Sequence, residues 1–368
     1  LYVANKNGII VGKDASISAS GALGLIANVV DGTAFTAATP ALAYNGTGGD
    51  VTVTDGASLS GATVLVTGGG TVNVGLSNIT GTLALSAGLP ANGGSFADKN
   101  TAAKLVLTGD HIAVAGDTLA SAGNASSAGA LDLSATTAAV AVAGTFTNTG
   151  TLTLPATASF TGGLVNNKTV EGAATGLTVK GALTNNGEMG KAAALGSVSA
   201  GKGLTNAGTL NGGAVTVTKG GLTNNGVLNS TAGIQLGVYD SDAGGNGTPG
   251  GDFVNNGAMT VGGDINVYGG NFNNAGSIKS TTSGSSGVYV QDGSLTNAGV
   301  LNNFFNLQTY SVSTDAAFKA GADYSVKNTG SVVSGGSIYM GANDYDPGDD
   351  ADNDSTGSVS NTGTLSVA

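Results

Sequence analysis

Gly221-Leu222-Thr223-Asn224-Asn225-Gly226-Val227-Leu228 is the stretch whose reading decides the fold. Reduced to apolar, any residue (Thr in five copies), Asn, any residue, Gly, any residue, apolar, it returns ten times, with its asparagine at Asn148, Asn166, Asn185, Asn206, Asn224, Asn255, Asn274, Asn297, Asn328 and Asn361. Nine of the ten copies keep the glycine, and Lys168 takes its place in the other. Successive copies start 18, 19, 21, 18, 31, 19, 23, 31 and 33 residues apart. One unit therefore takes roughly twenty residues plus occasional insertions, the period of a solenoid.

Ahead of the phrase lie alternating segments such as Val215-Thr216-Val217-Thr218 and Ile265-Asn266-Val267-Tyr268. Alternation with period two marks strands with one buried face and excludes a helix. A unit this short cannot bury its apolar side alone, so it must stack on its neighbours, each strand pairing in parallel with its equivalent one turn away. The expected fold is all-β, a parallel β-helix with coils of about 20 residues and Asp/Gly-rich loop insertions. Equivalent side chains then lie about 4.8 Å apart, and the ten asparagines become a structural ladder at one corner, as stacked amides do in cross-β assemblies. The glycine beside them is expected to supply a positive φ.

The chain has 368 residues, 65 of them glycine, with no cysteine, no tryptophan and only 10 % charged residues. Its twelve basic residues are all lysine, and the net charge is -11. An acidic surface repels phosphate backbones and anionic lipid, so nucleic acid is not an expected partner. No stretch approaches eighteen continuous apolar residues, so no membrane insertion is expected. Neutral polar side chains on the outside, together with the lack of cysteine, suit a secreted or cell-surface chain exported unfolded. Leu1 opens directly in a strand-like segment without a basic leader, as expected of a mature form or a piece of something longer.

Three regions follow. Residues 1–36 contain Asn5-Lys6-Asn7-Gly8-Ile9 and Gly24-Leu25-Ile26-Ala27-Asn28. This stretch resembles part of the secretion domain of filamentous-haemagglutinin-like exoproteins, the two-partner secretion family, whose hallmark is an Asn-Pro-Asn-Gly-Ile turn; Lys6 stands where that family has proline. Residues 37–145 read as β-helix coils with irregular turns, and an inserted small β domain is the other reading. Residues 146–368 carry the regular Asn/Gly repeat and resemble the same family's shaft. The resemblance implies a right-handed β-helix, export through an outer-membrane secretion partner, and adhesion or matrix roles.

Two clusters offer chemistry. Asp344, Asp346, Asp350, Asp352 and Asp354 form the densest ionisable group, and the last three reproduce the one-three-five spacing of calcium loops. Ser355 and Asn361 stand where an EF-hand needs Gly and Glu, so the readings are a looser calcium site or a solvated acidic loop. Asp240, Asp242 and Asp252 form a smaller set of the same kind. Tyr239, Tyr268, Tyr289, Tyr310 and Tyr339 recur about once per coil in the alternating strand. They are a possible binding face for sugars or a partner filament, or a stabilising cross-strand row. His111 is the single histidine, no arginine is present, and no nucleophile-base constellation emerges, so the expectation is no enzyme.

Solenoids need caps, because open end coils expose backbone and core. The chain opens in a strand and stops in a further repeat, so copies are expected to stack head-to-tail. The functional expectation is a building unit of an extracellular fibre or biofilm-like matrix, with calcium as candidate cofactor. The alternative is an adhesin shaft that binds host or glycan receptors.

Overall fold

The computed structural model describes residues 1–28, 48–75, 78–88, 100, 102–109, 111–114, 119–136, 139–238, 247–282, 286–311, 325–344 and 357–367. Among these, every regular element is a β-strand and the strand pairings within the sheets are parallel. The fold is a parallel β-helix. Two compact units divide the chain, one of residues 1–174 and 179–181, the other of 175–178 and 182–368.

In the second unit each coil turns through three short strands. Leu222–Asn224 lies on the first face, Val227–Ser230 on the second and Ile234–Leu236 on the third. Each pairs without slippage with the next coil: Asn224 with Asn255, Leu228 with Met259, Leu236 with Val267. The alternation of the sequence is the reason. In Leu-Thr-Asn the leucine and asparagine point inward and the threonine outward, and in Val-Leu-Asn-Ser the leucine and serine point inward. A one-residue slip would turn every apolar side chain to solvent. Stacking repeats this pattern into interior columns of Leu183, Leu204, Leu222, Phe253, Phe272 and Leu295 on the first face and Met189, Leu210, Leu228, Met259, Ile278 and Leu301 on the second, all essentially inaccessible. Phe253 and Phe272 stack with centroids 4.7 Å apart and planes 12° apart.

The first unit uses the same geometry with a different filling. Its first-face strands Ile9–Val11, Val51–Val53, Val72–Val74, Lys104–Leu107, Asn124–Ser127 and Thr145–Asn148 pair in turn, and the register runs Val11, Val53, Val74, Leu107, Ser127, Asn148. The asparagine column thus continues below Asn148 as one serine and then apolar residues. This is why the repeat blurs before residue 146: an aliphatic side chain fills the column without needing an amide above and below. Ser127 marks the change, its Oγ donating to Asn148 Oδ1 at 3.0 Å.

Within each unit the asparagines form a one-way chain. Nδ2 of Asn148 donates to Oδ1 of Asn166 in the first unit. In the second, the same bond runs Asn185 to Asn206, Asn224, Asn255, Asn274, Asn297, Asn328 and Asn361 at 2.7–2.8 Å. The second Nδ2 hydrogen reaches a backbone carbonyl of the next coil, as from Asn185 to Thr209 and from Asn206 to Val227, both at 2.9 Å. Turning an amide over would set oxygen against oxygen at both contacts, so the direction is forced. Asn185 through Asn255 are fully buried, and with both donors used each pays no desolvation debt and contributes about 1 kcal/mol net.

The glycine of the phrase does a different job from the expected one. Gly208, Gly226, Gly257, Gly276, Gly299 and Gly330 are not among the residues with positive φ. What they need is room: a Cβ on Gly226 would collide with the carbonyl oxygen of Gly208 in the coil before, and the same collision repeats at the other five. The crowding arises because the corner amides bond back to that coil. Asn225 and Gly226 N–H both reach Asn206 O, and Val227 N–H reaches Gly208 O.

Candidate functional site

The third face of the second unit carries the tyrosines. Its strands include Ile265–Tyr268, Gly287–Gln291, Asn306–Ser311 and Tyr339–Asp344. Val267, Val288 and Val290 point inward and are fully buried, while Tyr268, Tyr289 and Tyr310 are half-buried on the outer side and Tyr339 is exposed. The tyrosines do not form one row. Tyr268, Gln291, Tyr310 and Asn343 share a column. Tyr289 stands between Asn266 and Gln308 in a second, and Tyr339 lies beside Asn306 in a third. Recurrence once per coil is not recurrence at one strand position, and the face is therefore a staggered set of rings separated by amides. Tyr239 lies outside the described residues.

Two of these rings lie over glycines. A Cβ on Gly287 would meet the Tyr289 ring at 2.6–2.7 Å, and a Cβ on Gly341 would meet the Tyr339 ring at 2.7–3.0 Å. Tyr2 covers Gly24 in the first unit in the same manner. Each glycine leaves a bare patch of sheet, and a tyrosine two residues away or on the paired strand folds over it, which restores the packing a side chain would have supplied. Gly-Xaa-Tyr at 287–289 and Tyr-Xaa-Gly at 339–341 are the sequence signals of this arrangement.

Around Tyr289 the polar groups are fixed. Asn306 Nδ2 donates to the Tyr289 hydroxyl at 3.2 Å, and the Gly287 amide donates to Asp264 Oδ1 at 2.8 Å. Burial raises the Tyr289 pKa above the usual 10.0, the Asp264 charge adds to the rise, and the Asn306 hydrogen bond opposes it. Beside this ring is an open depression of about 270 Å³ whose lining includes Ala214, Gly233, Thr216, Gln235, Asp264 and Asn266.

Deeper in the same sheet, Thr309 occupies the inward column of Val267 and Val290, fully buried, and its hydroxyl has no hydrogen-bond partner. Gln291, under Tyr268 and Tyr310 in the outer column, is equally inaccessible with neither end of its amide partnered.

Of the acidic candidates, Asp252 and Asp344 are among the described residues. Asp344 ends the strand Tyr339–Asp344, its backbone beside Ser311, and Asp346, Asp350, Asp352 and Asp354 lie outside the described residues, as do Asp240 and Asp242. Asp252 is tied into a corner, where Oδ1 accepts the Asn271 amide at 2.8 Å. Among the described residues no three His, Cys, Asp or Glu side chains gather as a metal site would require. His111 is on the strand His111–Ala113, paired with Ala130. No protein-family model, characterised protein or solved structure matches the chain.

Proposed function

We propose that this protein is a secreted structural protein, a shaft segment of an extracellular fibre or matrix whose coils stack end to end. The observation that carries the reading is the sameness of the stacking surface. In every coil of the second unit the next coil meets an asparagine amide, a glycine corner and an apolar column in one register, so a coil built on the Leu-Thr-Asn phrase fits on any other. A charge-poor surface of Thr, Ser, Asn and Gly, and the likeness of Asn5 to Ile9 to an exoprotein secretion domain, support the extracellular setting.

Sedimentation velocity and negative-stain electron microscopy of the purified chain test the proposal. Concentration-dependent filaments are expected. A monomer at every concentration would overturn self-stacking. Calcium bracing of the 344–354 segment belongs to the same proposal, supported by its alternate carboxylates; calcium should raise the melting temperature and chelator reverse the rise.

A further inference from the structure

The depression beside Tyr289 combines features that structural stacking does not call for. Its small residues, Ala214 and Gly233, leave a hollow on an otherwise continuous sheet face. The outer column through it, Thr216, Gln235 and Asn266, is continued on the next strand by Tyr289, so hydroxyl and amides lead to an aromatic ring. That ring lies over Gly287, and its hydroxyl accepts a hydrogen bond from Asn306, so its position is restrained. Asp264 lines the hollow at its Tyr289 end, its carboxylate steadied by the Gly287 amide.

We propose that this hollow, with the Tyr289 ring at its end, is a binding subsite for a neutral pyranose unit of an oligosaccharide. A pyranose has an apolar C–H face and a rim of hydroxyls. An aromatic ring takes the first. Side-chain amides, which donate and accept from adjacent atoms, match neighbouring hydroxyls that do the same, and a carboxylate accepts charge-assisted bonds from hydroxyl donors. The volume of about 270 Å³ falls just below the usual range for small-molecule sites, which suits one sugar ring and not a large ligand. Neutral sugars are selected because a sugar carboxylate or sulfate would sit against Asp264, where like charges at close range repel. This goes beyond the structural role: a shaft without sugar affinity would still be a shaft.

The experiment is ligand-observed NMR and calorimetry on the full chain, with gluco-, galacto-, manno-configured and N-acetylated neutral oligosaccharides in one arm and sialylated and sulfated ones in the other. At least one neutral oligosaccharide should bind, weakly as single subsites do. Tyr289→Ala should weaken it about tenfold or more, which is about 1.4 kcal/mol, while Tyr289→Phe keeps most of the affinity. Asp264→Asn should admit acidic sugars. Tyr2→Ala, which removes the equivalent ring over Gly24 in the other unit, should change nothing. If Tyr289→Ala lowers the melting temperature, the Gln235→Ala, Asn266→Ala double variant, which leaves the ring in place, decides the matter by the same loss. The proposal is overturned if no neutral sugar binds at about 10 mM, a concentration that fills about nine-tenths of a site with a Kd of about 1 mM. It is equally overturned if Tyr289→Ala and the amide double variant both bind undiminished, or if acidic sugars are preferred.

Discussion

Asn206 Nδ2 donates to Asn224 Oδ1 at 2.8 Å, and Asn224 passes the same bond to Asn255 at 2.8 Å. The two asparagines are 18 and the next two 31 residues apart in sequence, yet both steps have the same length and direction. The insertion between residues 236 and 253 is therefore absorbed outside the ladder. Because each amide is polarised by the one before it, the chain of bonds is stronger than isolated pairs.

Asn224→Leu should cost about 3 kcal/mol, since it strands the Asn206 donor and the Asn255 acceptor in a buried column at ~1–3 kcal/mol each. Because repeat arrays open locally, hydrogen exchange is the right measurement. Amides of the coils containing Asn206 and Asn255 should lose protection while those near Ile9 do not. Asn224→Ser, which imitates Ser127, should cost less.

Gly226→Ala introduces a Cβ into the carbonyl of Gly208 and should destabilise the second unit by about 2 kcal/mol, within the usual span for overpacking. Gly12→Ala, where a Cβ meets nothing within 4 Å, should be neutral or slightly stabilising. Equal melting temperatures for the two variants would show that the corner has room to relax.

Thr309→Val removes a buried hydroxyl without a partner and places a methyl group in the column of Val267 and Val290. Stability should rise by about 1 kcal/mol, the lower part of the penalty for an orphaned polar group. Chemical denaturation read at a probe in the second unit checks it; a loss of stability would mean the hydroxyl is in use.

Tyr289 predicts an alkaline limb. Its folded pKa is raised above the ordinary 10.0 by burial first and by Asp264 second, so the folded state holds the phenolic proton longer than the unfolded chain does. The associated stability is fully present below pH about 10 and is lost as pH climbs through the folded pKa. Melting temperatures measured from pH about 9 to about 11 should therefore fall further for the wild type than for Tyr289→Phe. Parallel curves would remove Tyr289 as the cause.

The asparagine column and the stacked parallel coil were legible because one phrase, repeated with its Asn intact, leaves parallel stacking as the way to bury Leu222 and its equivalents. The glycine at 226 was visible but its reason was not: sequence cannot separate a residue chosen for its φ from one chosen because Gly208 O stands where a Cβ would go. The tyrosine columns were hidden for a related cause. Tyr268 and Tyr289 are a coil apart, but Tyr268 falls beside Gln291, since residue counts through corners of unequal length do not report strand position. The rings over Gly287 and Gly341 were readable in principle, from a glycine two residues away on the same face. The 344–354 carboxylates could be read as a spacing, but their arrangement in space depends on turns that a lone Asp-rich run does not specify.

The most direct test places nitroxide spin labels at residues 205, 223 and 254, the outward positions in register on three successive coils. If about twenty residues make one lap, the three labels sit in one column about 4.8 Å apart, and the triple-labelled chain should give a single exchange-narrowed line in continuous-wave electron paramagnetic resonance. A spectrum equal to the sum of the three singly labelled chains would contradict the stacked-coil account.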